Sequence, residues 1–199
     1  MSSCCSTQQT LDASCADTGQ ESLGVAPGVV STSSDADAAL CASCGQKGRE
    51  VDVLTVKSML TPSALATLDI SQRFRFCSHP ACKVVYFGHT GQQFLIEDMS
   101  IPVFQKDTRP SVPVCYCFGW TRARIREELS STGTSTAAAS ISAHIKAGRC
   151  ACEVNNPQGA CCLGNVASSV KEARQQLTHV SVNSAQTAPR GVFEAQEVH

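Results

Sequence analysis

Apolar positions in this chain come in short bursts, and their spacing changes along its length. Residues 1–40 are small and polar, with no period, and read as a disordered tail. From Cys41 the pattern turns β-rich. Val51 to Val56 (VDVLTV) reads as a short strand-forming run. Thr61-Pro62 has the form of a helix cap followed by proline at the first helical position, which predicts a short helix to Leu68. Arg73 to Phe76 and Lys83 to Phe87 read as strands around a cysteine pair, and Phe94 to Ile96 and Ile101 to Phe104 as two more. The proline-bearing segment DTRPSVP then closes a unit spanning 41–110.

Residues 111–178 change to a helical period. Thr121 caps RARIREELS, where Ile125 and Leu129 share a face, and Gly133 stops it. Thr136 to Ala147 forms a second helix, with Ile141 and Ile145 on one side and Gly148 as its stop. After an irregular cysteine-rich loop, Asn165 caps NVASSVKEARQQL, with Val166, Val170, Ala173 and Leu177 facing inward. Residues 179–199 read as a second tail. The expected class is α+β: a small β-rich domain, then a small three-helix domain, between disordered tails.

Such small units bury modest cores and need a staple. The chain offers 13 cysteines in 199 residues. Its start carries no basic n-region followed by an apolar stretch, and no apolar run spans a membrane. A cytoplasmic location follows as the expectation, where thiols stay reduced and close cysteines serve as metal or redox groups. The formal net charge of -1 gives no footprint for nucleic acid or an anionic membrane.

Cys41-Ala-Ser-Cys44-Gly45 and Cys77-Ser-His-Pro-Ala-Cys82 are two short-range pairs separated by a strand–helix–strand pattern. Each tight turn brings two sulfurs to one side of a tetrahedron, which is the sequence form of a closed, structural zinc site. Zinc–thiolate bonding then supplements the small core. His79, inside the second turn, is the alternative fourth ligand. The separate position of these pairs predicts zinc binding independent of the second half.

Six further cysteines, Cys115, Cys117, Cys150, Cys152, Cys161 and Cys162, border the three predicted helices. Helix starts offer unpaired N–H groups that stabilise thiolates and anionic clusters. The spacing alone leaves packing cysteines or a second zinc site open. In the tail, Cys4, Cys5 and Cys15 are soft thiols suited to Cu(I) or Hg(II), or reactive surface cysteines without a dedicated role.

The stretch CYCFGWTRARIREEL…ISAHIKAGRCACEVNNPQGACCLGNV resembles the bacterioferritin-associated ferredoxin-like [2Fe–2S] domain, in the version found in the N-terminal half of CopZ-type copper chaperones. There it follows a small zinc domain, which CASCGQKGREVDVLTVKSML…FCSHPACKVVYF also resembles. The resemblance covers about Leu40 to Leu177. It implies zinc on Cys41, Cys44, Cys77 and Cys82, and a [2Fe–2S] cluster on Cys115, Cys117, Cys150 and Cys162. Cys150 follows from a Gly-x-Cys after the second helix, and Cys162 from apolar residues at +1 and +4. Cys152 and Cys161 stand in reserve, as cluster ligands or soft-metal thiols. Two departures are visible: no M-x-C-x-x-C loop of a heavy-metal-associated domain, and more cysteines than four ligands require.

The resemblance implies a redox protein of copper or other soft-metal homeostasis. It would pass single electrons, with reduction of Cu(II) to Cu(I) as one coupled step. Its partners would be copper-handling proteins and a redox donor. Without the M-x-C-x-x-C loop, direct copper delivery falls to a separate protein. The other class is a regulatory or scaffold module whose cluster senses redox state or metal stress. The sequence has no nucleotide-binding glycine loop, no H-E-x-x-H and no nucleophile–base arrangement, so no enzyme activity beyond electron transfer or metal-ion reduction is expected.

Overall fold

The computed structural model describes residues 39–186. The first half is a four-stranded antiparallel sheet in chain order, β1 (Arg49–Val51), β2 (Phe74–Phe76), β3 (Val84–Gly88) and β4 (Gln93–Leu95). Every residue of β3 is buried, because both sheet faces are covered. A register shift against β4 explains how β3 serves both. Val84 pairs with Leu95 and Tyr86 with Phe94, leaving Val85 as an extra residue. Val85 and Tyr86 then join Phe74, Phe76 and Phe94 in the main core. Val84 and Phe87 pack with Cys41, Cys77 and Cys82 on the other side.

Between β1 and β2 lie two short helices, α1 (Val53–Met59) and α2 (Pro62–Leu65). The sequence pattern reads Val51 to Val56 as strand-forming, and the structure corrects this. Asp52 accepts the Leu54 N–H at 2.7 Å and caps a helix there. Thr55, Val56 and Met59 are its buried residues. Thr61 caps α2 with Pro62 at its start, as the dipeptide predicts, but the helix ends at Leu65. Beyond β4 the chain makes a single 3-10 turn, Ile96–Asp98. The run 101–104 forms no strand; Val103 enters the core and the backbone turns instead.

The second half opens on a small hairpin, β5 (Pro113–Cys115) and β6 (Trp120–Thr121). Three helices follow that the sequence pattern located: α3 (Arg122–Thr132), α4 (Ala137–Lys146) and, after a short helix α5 (Cys152–Asn155), α6 (Leu163–Gln186). Thr121 caps α3, and Gly133, at φ 74°, closes it. Glu128 accepts the Thr136 N–H at 2.9 Å and its hydroxyl at 2.6 Å, tying α3 to the start of α4. Val114, Ile125, Leu129, Ile141 and Val166 form the core of this half.

Two boundaries differ from expectation. Asn165 lies inside α6, whose first turn is closed by Val166 N–H on the Cys162 carbonyl. The helix also runs on to Gln186, into the segment read as a tail. The remainder of that segment and residues 1–38, with Cys4, Cys5 and Cys15, lie outside the described residues.

The halves meet along a built seam. The four-residue α5 packs on α1. The buried Tyr86 hydroxyl donates to the Pro157 carbonyl at 2.6 Å. Gly159 sits directly over Thr55: a Cβ there would lie 3.0 Å from Thr55 Oγ1, and its φ of 61° is left-handed.

Candidate metal centres

Four sulfurs gather on the outer face of the sheet. Those of Cys41, Cys44, Cys77 and Cys82 all lie within 4.8 Å of one another. Cys41 and Cys82 are 4.0 Å apart, and Cys44 and Cys77 are 3.6 Å apart. Zinc–sulfur bonds of about 2.3 Å in a tetrahedron require sulfur–sulfur edges of about 3.8 Å. The two close pairs bracket that edge, so the donor set fits zinc.

Local sequence explains the turns. In the first, the Cys44 and Gly45 N–H groups both reach the Cys41 carbonyl, at 3.3 and 2.7 Å. Gly45 takes the left-handed φ of 67° that lets the chain leave. In the second, Cys77 N–H bonds Val85 O at 2.9 Å, anchoring the turn to β3, and Cys82 N–H bonds His79 O at 3.2 Å. His79 is not in the four-sulfur group, so the alternative fourth ligand is unnecessary. Its buried Nδ1 has no hydrogen-bond partner.

Without metal the four thiols differ. Burial pushes Cys77 up to about 12 and also raises Cys41. Burial opposes ionisation of Cys44 too, but the Gln46 N–H and the neighbouring sulfurs outweigh it, leaving that thiol below its ordinary value. Four thiolates this close repel one another, and a bound cation relieves that where retained protons otherwise would.

In the second half the sulfurs form pairs. Cys117 and Cys152 are 3.9 Å apart. The neighbouring Cys162 thiol holds Cys115 down to about 7, and the Cys115 thiol, with burial, raises Cys162. Burial and then Cys117 push Cys152 up to about 12. Cys150 and Cys161 are near enough to oppose ionisation of Cys152 as well, yet Cys161 is exposed and Cys150 half-buried. The Cys115–Cys117 turn adjoins the hairpin, Cys152 begins α5, and Cys162 immediately precedes α6. Asn155 Nδ2 lies 3.8 Å from the Cys117 sulfur as a donor.

A connector, residues 102–109, runs between the two sulfur sets. The Tyr116 hydroxyl accepts the Phe104 N–H and donates to the Pro102 carbonyl, both at 2.8 Å. Arg122 stacks 3.9 Å over the Phe104 ring and donates to the Phe104 and Asp107 carbonyls, both at 2.9 Å. Gln105 donates to Gln158 at 2.7 Å, and Gln158 in turn donates to the Cys161 carbonyl at 3.0 Å. These residues carry no motif. Their partners are distant in sequence, so pattern reading finds only the connector's proline.

Comparison with known proteins bears on this geometry. A family described as a zinc binding domain of the CopZ type matches residues 38–100, which contain all four sulfurs of the first set. The crystal structure of the Archaeoglobus fulgidus CopZ N-terminal domain is 31% identical, with a TM-score of 0.52, and the match covers 62% of this chain and 91% of that one. The chain belongs to the CopZ N-terminal-domain family. The CopZ-type zinc region and the four-cysteine group thus coincide. No curated protein sequence matches the chain. Among the described residues, no helix is long and apolar enough to cross a membrane.

Proposed function

We propose that this CopZ-type chain is a zinc- and [2Fe–2S]-binding redox protein of copper homeostasis. Cys41, Cys44, Cys77 and Cys82 hold the zinc as a closed structural site. Cys115, Cys117, Cys152 and Cys162 hold the cluster. The observation that carries this reading is the pairing of sulfurs in the second half. Among the described residues, only the first set forms a group of close sulfurs of the size a single ion needs. The second set offers Cys117 with Cys152 at 3.9 Å, leaving the electrostatically linked Cys115 and Cys162 as the other two sulfurs, and two irons require two sulfurs each. The pairing favours Cys152 over Cys150, the ligand implied by the simpler ferredoxin pattern. Cys150 and the exposed Cys161 become the reserve thiols, open to Cu(I).

A [2Fe–2S] cluster supplies one-electron transfer. The chain's own part is to hold, orient and polarise. The backbone of Phe118 and Cys117 helps hold the Cys115 thiol below its ordinary value. Asn155 approaches Cys117. Phe118 stacks on His144 with ring centroids 4.4 Å apart, beside the same turn. Donors aimed at ligand sulfurs stabilise the reduced, more negative state. The partners that fit are a redox donor and copper-handling proteins of the reducing cytoplasm, with Cu(II) reduction as the coupled chemistry.

Anaerobic purification followed by reductive titration tests the reading. One paramagnetic spin-half centre per chain is expected. Cys150→Ser with Cys161→Ser should keep the visible absorption, and Cys152→Ser should lose it. A two-electron titration without a paramagnetic stage would make this half a thiol–disulfide device instead.

A further inference from the structure

Lys106 sits in the connector, half-buried, and forms no ion pair among the described residues. Its ammonium instead donates to two carbonyls of the second cysteine turn, His79 O at 3.0 Å and Cys82 O at 2.9 Å. Neighbouring Asp107 is occupied by Arg109, whose Nε lies 2.9 Å from Asp107 Oδ2. The lysine therefore gives its charge to the turn alone. That arrangement needs a reason, since holding a lysine in place sacrifices side-chain entropy and hydration.

The reason lies in the charge of the site. Four thiolates around a zinc ion leave a net charge of about −2. The set is largely buried, with Cys41, Cys77 and Cys82 all buried, so solvent screens this charge weakly. Lys106 is the cation fixed against the turn that carries two of the four sulfurs.

We infer that Lys106 is a positioning residue of the zinc site: it closes the Cys77–Cys82 turn from outside and balances part of the thiolate charge, limiting zinc loss and the nucleophilicity of the sulfurs. The inference rests on the zinc reading above. Hydrogen bonding alone would order the turn, but only the charge lowers thiolate reactivity. The two contributions therefore separate experimentally.

The test uses the full zinc-loaded chain with Lys106→Met, Lys106→Gln and Lys106→Arg. Zinc transfer to a colorimetric chelator and alkylation by iodoacetamide are both followed, after metal analysis. With zinc bound, Lys106→Met should release it about tenfold faster, the lower end of what outer-shell partners contribute to metal affinity. Its sulfurs should also alkylate faster. Lys106→Gln keeps a neutral amide donor without the charge and should remain fast in alkylation, which keeps the test decisive if Lys106→Met fails to fold. Lys106→Arg should restore slow release and slow alkylation. Wild-type rates in the Met and Gln variants, or an Arg variant as fast as Gln, would overturn the inference. Wild-type protein that binds no zinc would instead overturn the zinc reading.

Discussion

At the scale of single residues, the sulfurs are tuned by what surrounds them more than by their place in a motif. Cys77 and Cys152 sit in different turns, yet burial pushes both thiols up to about 12 from an ordinary value of 9.0. A pKa raised in the folded state favours folding below the unfolded value, and that contribution is lost as pH rises through the folded value. Metal-free protein should therefore lose stability between about pH 9 and about pH 12, a window set by these two thiols. Zinc-loaded protein should lose less over the same range, because coordination has already removed the proton of Cys77 but not that of Cys152. Urea midpoints measured with and without metal across that window check this. Equal alkaline losses in both forms would contradict it.

At the scale of elements, the segment 156–160 decides whether the cysteine-rich loop has a defined shape. It is irregular, but its backbone is not loose. Asn156 is buried and donates to the Ala160 carbonyl at 2.7 Å, and Gly159 N–H closes on Asn156 O at 2.8 Å. Gly159 alone allows the approach to Thr55 and the left-handed turn. Gly159→Ala should therefore cost about 1–3 kcal/mol, the range for a residue forced into a sparsely populated region. It should also reduce iron retained per chain, since the loop lies between Cys152 and Cys162. Urea denaturation and iron analysis together test this. An alanine variant with wild-type midpoint and iron content would show that the loop adapts.

At the scale of the whole molecule, the two sulfur sets are not mechanically separate. Their distance in the sequence predicts independent binding. The connector and the Tyr86–Pro157 contact predict otherwise, because the zinc unit's sheet is one wall of the second half's loop. Cys44→Ser with Cys77→Ser should remove zinc and also lower iron content several-fold. Cys117→Ser should remove iron and leave about one zinc per chain, because the two zinc turns are held by their own backbone bonds, by β3 and by Lys106. Metal analysis of both variants tests this asymmetry. Full iron in the zinc-free variant would restore independence.

Much of this was readable from residue type and spacing. Two tight cysteine turns predict a four-sulfur group, since turn geometry is local and fixes sulfurs in pairs. Helices α3 and α4 are legible for the same reason: caps, glycine stops and apolar period lie within a few residues. Where a local signal was ambiguous, long-range packing settled it. Val51 to Val56 has strand-forming residues, but the Asp52 cap and the core beneath Val56 and Met59 make most of it helix. Tertiary structure alone brings the Cys152 sulfur to 3.9 Å from that of Cys117. Spacing along the chain does not report distance across a loop, so Cys150 and Cys152 are equivalent to a pattern. They become distinct once α5 turns Cys152 toward Cys117. The same holds for Lys106, whose carbonyl partners lie 27 and 24 residues away. A lysine in a connector carries no mark of its role until folding places a charged turn beside it.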